Sequence, residues 1–240
     1  MNRIDTHQKM KKQKIAPIKN PDAKLADWIR RYNKLYTGAI NDILDEMGHR
    51  NQVLPHEIKA LCPGMRVAGV VMTVVGNPTA ITDRDTILIP WMKMLQAVTP
   101  GCVIVTQPND HQNAHFGELS SHAAKIHGCQ GVVVDGGCRD IEYILRQSKL
   151  PVFCRYTTPK DIKGRWLVRD CNVPITMGQT RIEPGDFIVG DRDGVIVIPR
   201  KITLEVLEKS EEVTSAENLT RKMILQGAPP LDAYLKYRRF

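Results

Sequence analysis

The sequence predicts an α/β fold built on a parallel βαβαβ core, with further short strands that pair partly antiparallel. Three observations lead there. Runs rich in β-branched residues at 102–106, 131–135 (GVVVD) and 151–154 alternate with helix-length stretches at 119–127 and 139–147. Pro100-Gly101 and Gly128 punctuate the series, and crossovers of this length join parallel strands. Beyond it, short apolar runs at 173–177, 186–189 and 194–198 are separated by Glu183-Pro184-Gly185-Asp186 and Asp193-Gly194, both turn signals. These three runs read as a second, partly antiparallel layer.

Before the core, residues 22–47 read as two short helices. Thr37 is the expected N-cap of the second, Ile40, Ile43, Leu44 and Met47 recur at helical spacing, and Gly48 is a stop. The run 66–75 (RVAGVVMTVV), bounded by Pro63-Gly64 and Asn77-Pro78, reads as a strand. Residues 86–98 have a helical pattern that Pro90 should interrupt. After the strands, 200–226 read as a charged amphipathic helix, with a short helix near 230–237. The organisation expected is a basic arm over 1–20 and one catalytic domain over 21–240, with no internal repeat.

Composition narrows the function classes. With 42% hydrophobic and 25% charged residues in 240, the chain is neither disordered nor too small for its own core. No run approaches the roughly 18–20 apolar residues of a membrane span. The net charge is +8, and residues 1–20 hold six bases (Arg3, Lys9, Lys11, Lys12, Lys14, Lys19) against Asp5. Such an arm is either a solvated terminus or a contact for an anionic surface. It has no aromatic residue to stack on bases and no apolar stretch of a secretory signal. Six cysteines without a CxxC pair argue against a zinc ribbon and for a reduced, cytoplasmic protein.

Ligands of open parallel sheets bind beyond the carboxyl ends of the strands. Two such ends carry polar residues. In Asp135-Gly136-Gly137-Cys138-Arg139-Asp140, the two glycines are expected to let the backbone turn sharply, leaving Arg139 and Asp140 at the next helix start. Arg139 offers a planar fork for a carboxylate or phosphate, and Asp140 a hard oxygen for a metal. In Gly117-Glu118-Leu119-Ser120-Ser121, the N–H groups of Leu119 and Ser120 open a helix, and Glu118 is a second carboxylate expected near Asp140. The same residues also read as ordinary helix starts stabilised by capping and surface charge. His111 and His115, and Glu118 and His122, are four apart, but HExxH is absent. GxxxxGK[ST], GxGxxG and GxSxG are absent too. Of lysines, only Lys125 lies near either segment, about two turns down its helix, which does not favour a Schiff base.

The run GELSSHAAKIHGCQGVVVDGGCRD at 117–140 resembles the core of the RraA-like family, which includes the 4-hydroxy-4-methyl-2-oxoglutarate aldolases and the regulator of RNase E activity. TGAINDILDEMG (37–48), PGMRVAGVVMTV (63–74), PGCVIVTQ (100–107), GDRDGVIVIPR (190–200) and ENLTRKMILQGAPPLDAY (217–234) extend the resemblance over roughly 37–235. The resemblance implies a swivelling β/β/α fold, a trimer or dimer of trimers, and a site between subunits. In the aldolase branch it assigns substrate binding to Arg139 and to the loop of Gly117, Glu118, Leu119 and Ser120. It assigns direct Mg²⁺ or Mn²⁺ binding to Asp140, and contact through water to Glu118 and to Glu217 of a neighbouring subunit. The chain departs from the family where Cys102 replaces an acid after Pro-Gly, at His111 and His115, and in its longer basic arm.

The activity implied is divalent-metal-dependent cleavage of 4-hydroxy-2-oxo acids, or decarboxylation of oxaloacetate, both giving pyruvate through an enolate. The alternatives are a binding module like the RNase E regulator, without catalysis, and a lyase of the same fold acting on another sugar acid or oxo acid. A small-molecule 2-oxo acid partner is expected, and a membrane or nucleic-acid partner is not.

Overall fold

The computed structural model describes residues 18–240; residues 1–17, most of the basic arm, lie outside the described residues. Helices α1 (Ala23–Tyr32) and α2 (Thr37–Glu46) come first, then β1 (Lys59–Ala60), β2 (Val67–Pro78), α3 (Arg84–Gln96), β3 (Cys102–Gln107), β4 (Ala114–Phe116) and α4 (Glu118–Ile126). β5 (Gly131–Cys138) leads into α5 (Ile141–Tyr143), which continues as a π-helical turn over Ile144–Ser148. Strands β6 (Val152–Thr157), β7 (Trp166–Cys171), β8 (Ile175–Met177), β9 (Thr180–Ile182), β10 (Phe187–Gly190) and β11 (Val195–Ile198) follow, then α6 (Thr203–Leu225) and α7 (Pro230–Tyr237).

The main sheet runs β1-β6-β5-β3-β2-β10-β11, with β4 beside β5 and β7 beside β2. β3, β5 and β6 are parallel, as the alternation of strands and helices predicts, and β2 joins them in parallel beside β3. Their near-continuous valine runs follow from burial on both faces. Val132 and Val134 enter one core with Ile104, Trp91 and Met94, while Val133 enters another with Val103 and Val105. β2 has one edge on β3 and shares the other: β10 pairs with Val67–Val70 and β7 with its far end.

The layer expected from 173–198 takes a different form. β10 and β11 hydrogen-bond into the main sheet through β2. Ile188, Val195 and Val197 thus share a core with Val103 and Val133, while Phe187, Val189 and Ile196 on the opposite face pack on α1, α2 and α6. Only β8 and β9 form a separate ribbon.

Two local expectations are corrected. Thr37 is the first helical residue, not the cap, because the Asp191 carboxylate accepts hydrogen bonds from its N–H at 2.9 Å and its hydroxyl at 2.8 Å. Gly48 does end the turn after α2, at φ +85°. Pro90 lies inside an unbroken α3, where Ile87, Trp91, Met94 and Leu95 are buried and tertiary packing outweighs the lost hydrogen bond.

Candidate active site

β5 does not end at Asp135. It continues through both glycines to Cys138, so they form no turn. They are there because neighbours crowd the strand. A Cβ on Gly136 would lie 2.5 Å from His115 Nδ1, and one on Gly137 would lie 2.5 Å from Tyr156 Cε2 and 2.6 Å from the Asn113 oxygen. The chain turns at Asp140 instead, in the left-handed conformation at φ +59°, which aspartate adopts more readily than most residues.

That turn presents Arg139 and Asp140 to the first turn of α4. Asp140 Oδ2 accepts from the Glu118 N–H at 3.3 Å and lies 3.4 Å from Arg139 Nε. Gly117 leaves room for this carboxylate, since a Cβ there would come within 2.8 Å of Asp140 Oδ2. Arg139 Nη1 lies 3.4 Å from Asp161 Oδ1. The N–H groups of Leu119 and Ser120 have no hydrogen-bond partner among the described residues, whereas the next, Ser121, bonds to Gly117 O. They leave two free donors at the positive end of the helix dipole, where negative charge is favoured. The Ser120 hydroxyl is held from behind by the Trp91 indole N–H at 2.9 Å.

One cavity of about 750 Å³ joins Gly117, Glu118, Leu119, Ser120, Arg139 and Asp140. Within it the Glu118 carboxylate pairs with His122 at 3.1 Å. Glu217 is elsewhere in this chain, on α6 beside Phe240 in a separate groove. Arg84, Asp161 and Lys163 also line the cavity and were missed in the sequence. Asp161 follows β6, the next parallel strand after β5, so the rule of strand carboxyl ends points to it. No glycine or helix-start motif marks it.

Among the described residues, no group of three or more His, Cys, Asp or Glu side chains is spaced to hold a metal. The donor set still fits a hard cation. Asp140 is a half-exposed carboxylate in a roomy cavity, and Mg²⁺ or Mn²⁺ commonly binds one or two carboxylates and completes its shell with water.

His111 and His115 do not share a helix face, because His115 lies on β4 and His111 in the bend before it. His115 is fully buried, with Nε2 2.9 Å from Asp110 Oδ2 and Nδ1 3.4 Å from the Gly137 N–H, and its ring packs edge-on to Trp166. Burial lowers its pKa to about 4, against the opposing pull of Asp110. The neutral imidazole therefore donates from Nε2 to Asp110 and accepts from Gly137, tying the loop to the glycine strand. The six cysteines are unpaired. Burial pushes the Cys138 and Cys154 thiols up, the latter to about 12, so they pack rather than react.

No helix among the described residues is long and apolar enough to cross a membrane. The profile of the RraA-like family (Aldolase/RraA) matches residues 37–197. A Halalkalibacterium halodurans protein provisionally named 4-hydroxy-4-methyl-2-oxoglutarate aldolase is 34% identical over 88% of this chain and 94% of its own. The crystal structure of an uncharacterized Pseudomonas syringae pv. tomato protein superposes with a TM-score of 0.79 at 27% identity, over 93% of this chain and 97% of that one. Streptomyces coelicolor RraAS2, described as an unusual member of the RNase ES inhibitor RraA family, superposes with a TM-score of 0.73 at 26% identity, over 85% and 99%. With these matches and a mixed α/β sheet of the same form, the chain belongs to the RraA-like family.

Proposed function

We propose that this chain is a divalent-metal-dependent carbon–carbon lyase that cleaves 4-hydroxy-2-oxo acids, or decarboxylates oxaloacetate, to pyruvate. One observation carries the reading: Arg139, Asp140 and the unpaired N–H groups of Leu119 and Ser120 open into a single cavity. Arg139 binds the substrate carboxylate with its planar fork. The two N–H groups face the oxygen that gains negative charge as the carbon–carbon bond breaks. Asp140 would hold Mg²⁺ or Mn²⁺, which when bound supplies Lewis-acid polarisation of the 2-oxo group. Glu118, oriented by His122, takes the 4-hydroxyl proton through a water, and that proton is available to return to the pyruvate methyl carbon.

The assembly proposed is a cytoplasmic homotrimer or hexamer in which Glu217 of a neighbouring subunit reaches this cavity. Exposed apolar side chains at the cavity mouth (Met92, Leu119, Tyr143) and on the C-terminal helices (Leu231, Leu235) support it, since a subunit interface would cover both patches. The likeness to RraAS2 keeps a second reading alive, a regulator acting through surface contact. One assay separates them: pyruvate release from oxaloacetate and a panel of 4-hydroxy-2-oxo acids, with and without Mg²⁺ or Mn²⁺. Metal-dependent release supports the lyase, and its absence across the panel overturns it.

A further inference from the structure

At the opposite end of the parallel strands from Arg139 and Asp140, a second pocket of about 290 Å³ opens at the starts of β2, β5 and β6. Arg66, which precedes β2, lines it together with Lys125 from α4 and Lys149, which lies just before β6. The other polar side chains in its wall are Asn33 and Gln130, and among the described residues no carboxylate lines it.

The cations there are poorly compensated. Arg66 Nε is buried and has no hydrogen-bond partner among the described residues. Its nearest acid, Asp191, is 3.9 Å from Nη1 and already accepts two hydrogen bonds from Thr37. Lys125 donates to the Ser148 carbonyl and has no carboxylate partner among the described residues. Burial lowers the Lys125 pKa, and the charge of Lys149 lowers it further. Ile18 also lines the pocket.

A buried donor without an acceptor is costly, and like charges held together are destabilising until a counter-charge enters. We propose that this pocket is a binding site for a small anion of the phosphate class. A tetrahedral dianion can meet the Arg66 guanidinium and two separate ammonium groups at once, which a flat monocarboxylate matches less well. The site is distinct from the Arg139 cavity and does not depend on the reaction proposed there.

Calorimetric titration of the full chain at low ionic strength tests it, with inorganic phosphate, pyrophosphate and succinate as probes. Saturable binding of phosphate or pyrophosphate, one per chain, is expected, weakening as salt is added. Lys125→Gln and Lys149→Asn should each reduce affinity about tenfold or more. Lys149 is exposed and left-handed at φ +53°, a conformation asparagine also adopts, so the second variant keeps the fold. Arg139→Ala should leave anion binding unchanged. Absence of saturable binding to the wild type overturns the proposal, as does undiminished binding in both lysine variants. Succinate binding as tightly as phosphate refutes the phosphate class. Loss of binding in Arg139→Ala places the anion in the other cavity.

Discussion

Arg139 Nη1 lies 3.4 Å from Asp161 Oδ1, and this contact joins the end of β5 to the loop that follows β6. With Nε 3.4 Å from Asp140, the guanidinium plane is held from two sides. Arg139→Lys keeps the charge but loses the fork. It should lower kcat/KM at least about tenfold, roughly 1.4 kcal/mol of transition-state stabilisation, and Arg139→Ala considerably more. Asp161→Asn should cost less than Arg139→Ala and leave Tm nearly unchanged, since the Asp161 side chain is half-exposed and asparagine keeps an acceptor oxygen. Wild-type kinetics in Arg139→Ala would remove this residue from the chemistry.

Chelation gives a second prediction. EDTA should abolish pyruvate release, and Mg²⁺ or Mn²⁺ should restore it. Borohydride added with substrate should trap no lysine adduct, as mass spectrometry of the intact chain would show. Full activity in EDTA, or a trapped lysine, contradicts the proposed chemistry.

Subunit mixing tests the location of Glu217, which lies outside the cavity in its own chain. Asp140→Ala and Glu217→Ala should each be nearly inactive alone. In a closed ring, each site takes residues from two chains, so a mixed trimer contains at least one junction with both residues intact. Partial activity should return on exchange. Exchange seen by mass without recovery would mean that Glu217 does not complete a neighbour's site.

Acid stability should report His115. Burial holds its pKa at about 4 in the folded chain against 6.5 for an ordinary histidine. Between these values the unfolded chain binds the extra proton, so His115 lowers stability as pH falls from 6.5 toward 4. The loss is on the order of 3 kcal/mol, and denaturant midpoints measured across that window should show it. His115→Gln should be less stable at neutral pH but flatter through the window. An unchanged slope would show that another group titrates there.

Gly136→Ala probes the crowding directly. The added methyl meets His115 Nδ1 at 2.5 Å and Pro108 Cγ at 2.9 Å, so a loss of about 1–3 kcal/mol is expected. Combining it with His115→Ser should recover part of that loss, as a non-additive pair in chemical denaturation.

The valine-rich strands and their helical crossovers were legible because burial on both faces leaves continuous β-branched runs. Gly117 to Ser120 with Arg139 and Asp140 could be singled out because each follows a strand and opens a helix. The role of Gly136 and Gly137 was not legible. The sequence shows that glycine is present, but not that His115 and Tyr156, from other strands, occupy the space a side chain would need. Thr37 misled for a similar reason, since its acceptor Asp191 is 154 residues away. Short strands such as β4 and β9 carry too few residues to show a period; β4 is set by pairing with the longer β5, and β9 by its equally short hairpin partner β8.

The divided edge of β2 has a consequence for biosynthesis. β3 covers one side soon after β2 emerges, but the other side must wait for β7, and its first half for β10, roughly a hundred residues later. At about 5–20 residues per second, that edge stays open for roughly 5–20 s on the ribosome. A long apolar strand with unpaired N–H and C=O groups is a template for pairing with another chain. Nascent chains truncated before Phe187 should therefore aggregate or recruit chaperones, and release from both should coincide with emergence of the β10–β11 hairpin.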